Sequence, residues 1–121
     1  LIVRPTGGLS LSPKEGASSF DPFVRVSVKA EDPSSGVADA PLVAEGQTET
    51  LSNCLTDPQW REPVVLAFTM ERGLFVHVVL CSARFMSHDE LGEVVMPLEE
   101  ALRLAKAPVE RRYPLRLFGP N

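Results

Sequence analysis

Residues 23–29, FVRVSVK, set Val24, Val26 and Val28 between the polar Arg25, Ser27 and Lys29. That period-two alternation marks a strand with one buried face. The same pattern predicts strands at 1–3, 47–51, 64–69, 74–80, 93–98 and 112–117, with a further short one at 42–43. In 64–69, Val64, Leu66 and Phe68 fall on one side; 74–80 is the most apolar run and suits the middle of a sheet. Turn-rich connections separate these runs: SLSPKEGASSFDP at 10–22, the acidic, Pro- and Gly-containing stretch at 30–46, DPQWREP and SARFMSHDELG. Met70-Glu71-Arg72-Gly73 reads as a hairpin turn. The one helical stretch is EEALRLAK at 99–106, with acids early and bases late as the helix dipole favours, ended by Ala107-Pro108. Short strands joined by such turns predict an all-β fold, an antiparallel eight-stranded sandwich, in a single domain spanning 1–121.

Composition changes this picture little. The 121 residues are 44% apolar and 23% charged, enough for a real core. No run reaches the roughly 18 apolar residues of a membrane span. The first residue is Leu1 and no basic-then-apolar leader follows, the expected look of a domain excised from a longer protein. Cys54 and Cys81 lack metal-ligand spacing and read as reduced thiols of a cytoplasmic protein rather than a disulfide.

Charge is more informative. Net charge is −4, with eight acids and four bases in residues 1–60 and eight of each in 61–121. Arg111-Arg112 is the only basic doublet, so the concentrated positive field of a nucleic-acid surface is absent.

Four stretches in order resemble the signatures of one family, the C2 domain. GGLSLSPKEGASSFDPFVRV resembles its first loop and following strand, TDPQWREPVVLAF its Asn-Pro-x-Trp-x-Glu segment, LFVHVVLCSARFMSHDELGEVVMPL its central strand, third loop and Asp-x-x-Gly turn, and RRYPL its closing strand. The resemblance covers nearly the whole chain and implies the type II strand order. Its structural signature falls on Asp21, Pro22, Pro58, Trp60, Glu62, Phe68, Gly92 and Tyr113. Pro22 fixes φ after Asp21, Trp60 is large enough to plug a sandwich end, and Gly92 suits a close backbone approach.

Members of this family that bind calcium use two acids in the first loop and three in the third. Here Glu15 and Asp21 occupy the first-loop positions and Asp89 the closing third-loop position, but the remaining two fall on Cys81 and Ala83. Calcium takes about six to eight oxygen ligands. A thiol and a methyl group supply none, so the resemblance implies no metal and no other cofactor beyond a weak vestigial site at Glu15, Asp21 and Asp89.

Calcium-independent members often bind anionic lipid through a basic concave face. The candidate positions are Arg25 and Lys29, while 47–50 carries no base and five acids lie between Glu31 and Glu49. At roughly 1 kcal/mol per membrane-proximal base, two bases give little purchase. The third-loop tip is the other candidate: Arg84, Phe85 and Met86, with His88 nearby, could seat in a partner protein or enter a bilayer, or Phe85 could fold back on the sandwich.

No catalytic constellation is present. Ser87, His88 and Asp89 are consecutive and cannot align as a triad, His77 lies in a strand, and Glu99-Glu100 start a helix. The sequence therefore predicts a non-catalytic, calcium-independent module that binds a protein or a neighbouring domain of its own chain in a scaffold or trafficking protein. A phospholipid-targeting module and a purely structural domain are the alternatives. By family analogy such a protein works in the cytoplasm, at membranes or at cytoskeletal or centrosomal structures.

Overall fold

The computed structural model describes residues 1–3, 21–33, 40–52, 58–84, 86–105 and 116–117. Glu15, Cys54, Phe85 and Tyr113 lie outside them. The elements in order are β1 (Ile2–Val3), β2 (Pro22–Lys29), β3 (Leu42–Gln47), β4 (Val64–Val65), β5 (Phe75–Arg84), β6 (Ser87–Pro97), α1 (Leu98–Ala105) and β7 (Arg116–Leu117). They form a five-stranded sheet, β3-β2-β5-β6-β7, and a two-stranded sheet, β1-β4, with every pairing antiparallel.

This is the predicted all-β antiparallel sandwich with one short helix, but its described strands number fewer than eight. One reason is physical. The separate strands expected at 42–43 and 47–51 are one strand, β3, whose pairing loosens beyond Gln47. There the Thr48 hydroxyl accepts from the Val24 amide at 2.9 Å, taking the place of a backbone acceptor, and the Leu51 amide reaches the Pro22 carbonyl at 3.0 Å.

The core lies between the sheets. Val24, Val26 and Val28 from β2, Val76 and Leu80 from β5, and Val64 and Leu66 from the β4 segment pack with Trp60, Leu74 and Leu98. The alternation sends Val65, opposite Ile2, outward. Gly46 lets β3 approach β4 closely, because a Cβ there would meet Val64 Cγ1 at 3.0 Å and Leu66 Cδ2 at 3.2 Å.

Trp60 and Pro58 are buried, and the Trp60 indole N–H donates to the Pro22 carbonyl at 3.4 Å. Nearby, the Glu49 carboxylate accepts from the Arg61 amide at 2.7 Å and the Glu62 amide at 3.5 Å, holding the WRE turn. Phe68 is half-buried against the core.

The expected hairpin at 70–73 is not one. The strands on either side belong to different sheets, so the turn carries the chain across the sandwich, with Gly73 at φ 77°. Helix α1 begins at Leu98, whose amide donates to the Leu74 carbonyl at 2.9 Å; Glu99 and Glu100 occupy its first turn and Arg103 its last.

Truncating Leu80, 2% exposed between both β neighbours, leaves a cavity that the paired strands cannot collapse. Leu80→Ala is expected to lower unfolding free energy by about 2–5 kcal/mol in urea titration. Met86→Ala at the exposed tip is expected to change it by less than about 0.5 kcal/mol.

Candidate functional site

The largest departure from the sequence expectation is at SARFMSHDELG. Instead of an open loop, β5 and β6 continue pairing through Ser82↔Asp89, Ala83↔His88 and Arg84↔Ser87. The apolar pattern ends near Leu80, but backbone pairing needs no apolar side chain. On its other side β5 stays paired with β2 to Pro22↔Ser82, after which the Ala83 amide donates to the Asp21 carbonyl at 2.8 Å.

A bulge sets the faces. Leu80 pairs with Gly92 and Cys81 with Glu90, leaving Leu91 unopposed. The extra residue keeps Leu91 packed on the core while Glu90 and His88 turn to the outer face. The alternation also sends His88 to the opposite face from Ser87 and Asp89, which disposes of any relay among them.

The third-loop positions that the resemblance implies for calcium make other contacts. Cys81 is fully buried in the sheet, opposite Phe23 and Glu90, and Ala83 is opposite His88. Asp89 pairs with Arg84, whose Nη2 lies 2.5 Å from Oδ2. A guanidinium thus sits on the Asp89 carboxylate. The Asp21 amide donates to the Ser82 hydroxyl at 3.2 Å. Among the described residues no group of three or more His, Cys, Asp or Glu side chains could hold a metal ion.

The candidate bases Arg25 and Lys29 do share the outer face of the sheet, but both are engaged. Arg25 Nη1 is 4.0 Å from Glu90 Oε1, and its Nη2 donates to His88 Nε2 at 3.3 Å. Lys29 Nζ donates to His77 Nδ1 at 3.0 Å, and His77 Nε2–H donates to Glu93 Oε2 at 2.8 Å. Opposite them β3 supplies Gln47, Glu45 and Leu42, and the Ser27 hydroxyl donates to Glu45 at 3.0 Å. Phe23, edge-on to His88 at 5.8 Å, packs with Val79 and Cys81 on this same face. The face is a satisfied polar ladder over a small apolar cluster, rather than an open cationic groove.

Sequence reasoning missed His77, Glu45, Glu90 and Glu93 as members of that ladder. Alternation alone could put Lys29 and His77 on sheet faces; the cross-strand register that joins them is not local information. Opposite charges at Arg84 and Asp89, flanking the tip, were the one readable signal of a closed hairpin.

At the tip Met86 is 91% exposed and holds φ 62°, a left-handed conformation that a side chain bearing a Cβ adopts at a cost. A two-residue hairpin turn favours Gly or Asn at such a position. The apolar Met there serves neither the turn nor the core.

Cys81 is free, and burial pushes its thiol up to about 11, with Arg25 pulling down and Glu90 pushing up. At pH 8 the thiolate is scarce and shielded. In a Cys54→Ser background, an aromatic disulfide reagent is expected to label Cys81 only after denaturation; rapid labelling of the folded domain would contradict its burial.

Over 116 residues the chain is 29% identical to E3 ubiquitin-protein ligase NEDD4 of Mus musculus and, equally, of Rattus norvegicus, covering 96% of this chain and 12% of each relative. The chain therefore corresponds to about an eighth of the length of these curated relatives. Residues 1–115 match the family description "C2 domain", and with the sandwich above that match establishes that the chain belongs to the C2 domain family.

Proposed function

We propose that this C2 domain is a calcium-independent interaction module that binds another protein or a neighbouring domain of a larger chain. C2 domains are non-catalytic modules, and the finer claim here concerns what this one contacts. The observation carrying it is the pairing of β5 with β6 out to Arg84↔Ser87. It closes the loop with which calcium-binding relatives hold their ion and commits Asp89 to Arg84. Opening the hairpin for calcium would break ladder hydrogen bonds and that ion pair together, with Cys81 and Ala83 offering no oxygen in return.

The contact assigned to a partner is the tip. Met86 is exposed at a conformational cost, the mark of a side chain kept for something outside the domain. The coverage of only 12% of each curated relative supports a role beside other domains.

The same observation favours a second reading, shallow insertion of Met86 and its neighbours into a bilayer. Arg25 and Lys29 add little to it while they remain paired on the sheet face. No helix among the described residues is long and apolar enough to cross a membrane.

Co-sedimentation with neutral and anionic vesicles, each with calcium and with a chelator, separates these readings. The protein-binding reading expects no pelleting in any condition. Pelleting that survives the chelator and is lost in Met86→Asp would establish membrane insertion instead. Calcium-dependent pelleting would overturn calcium independence.

A further inference from the structure

Both histidines of the chain, His77 and His88, lie on the outer sheet face, and each accepts from one of the two cations of β2. These are separate contacts at opposite ends of the face, made by different strands. An imidazole nitrogen can accept from a lysine or arginine only while it carries no proton. The network therefore assigns His77 as neutral with its proton on Nε2, facing Glu93, and His88 as neutral with its proton on Nδ1. We propose that the two histidines form a proton-sensitive latch: neutral, they hold Lys29 and Arg25 on the sheet; protonated, they give up both contacts.

The groups around each histidine fix the direction of the change. His77 meets Lys29 and Ser27 from β2, with Glu45 of β3 beyond Ser27; from β6 it meets Glu93, which β7 pairs with Arg116, and Val95. A second proton on the ring removes the acceptor facing Lys29 and sets an imidazolium about 3 Å from an ammonium, a strong repulsion in a half-buried site. The contact with Glu93 survives and becomes a full ion pair, since Nε2–H already donates there. His77 stays and Lys29 leaves.

At the other end, His88 is approached by Arg25 and Phe23 from β2 and by Ala83 of β5, with Glu90 beside it and the Arg84–Asp89 pair across the hairpin. Protonation there ends acceptance from Arg25 and leaves that guanidinium with Glu90 alone. Histidine is the side chain whose charge ordinarily changes between about pH 5 and 8. A second proton on each ring adds positive charge to the face and loosens the cations already on it. On the face as described, Lys29 is thereby released in acid and Arg25 is left held by Glu90 alone.

Nuclear magnetic resonance of the intact domain between pH 8 and pH 5 tests the latch directly. The Lys29 side-chain signals are expected to shift with the midpoint of His77, and the Arg25 guanidinium signals with the midpoint of His88. In His77→Gln and His88→Gln, where an amide oxygen accepts without titrating, the matching shift is expected to vanish. Lys29 and Arg25 signals in the unmodified domain that ignore the histidine titrations would overturn the proposal, whether or not either variant folds. So would an unchanged pH response in a folded variant.

Discussion

Strand β5 is paired on both sides along nearly all of its length, and the rest of the molecule depends on that constraint. Its eight partners in β2 and ten in β6 make it the centre of the larger sheet. Its inward residues, Val76 and Leu80, sit in the middle of the core, and its entry at Leu74 anchors the first residue of the helix. A central strand has no unpaired backbone to offer a ligand. Because the pairing runs on past the apolar residues to Arg84, the segment that could have been a binding loop becomes three more rungs of ladder.

Two consequences follow for chemistry. At the end of the sandwich, the closed hairpin brings Arg84 onto Asp89, so the local charge is balanced within the chain. Across the outer face, the bulge at Leu80/Cys81 restores the alternation that lines up Arg25 with His88 and Glu90, while further along the strands Lys29 meets His77 and Glu93. Isolated exposed ion pairs add little stability. Here the partly buried contacts matter more, because leaving a buried donor or acceptor without a partner costs more than a made hydrogen bond gains. Among the described residues no buried side-chain nitrogen or oxygen lacks one.

Much of the fold was legible because it rests on local alternation. Val24, Val26 and Val28 announced β2, and the acid-to-base gradient of LEEALRLA announced the helix within one residue. The losses have identifiable causes. For Leu42–Gln47 the pattern predicts only a short strand at 42–43 and a separate one from 47, because Glu45 and Gly46 break the apolar run; Gly46 is there to let two sheets approach. The hairpin at the tip looks like a loop in the sequence because Ser82, Arg84, Ser87 and His88 carry no strand pattern, yet their backbones pair. The assignment of Cys81 and Ala83 to calcium positions comes from the C2 resemblance, and no local pattern marks them. The Lys29–His77–Glu93 chain was not legible either, since its members are 48 and 16 positions apart and meet only through register.

On the proposed calcium-independent reading, backbone pairing and the Arg84–Asp89 contact stand where calcium-binding members of the family hold their ion. Hydrogen exchange of the Cys81, Ser82 and Ala83 amides, measured with calcium and with a chelator, tests that claim most directly. The account predicts slow exchange at all three, the same in both conditions. Fast exchange in the chelator that slows when calcium is added would mean that this segment is an open loop ordered by the metal, and would contradict it.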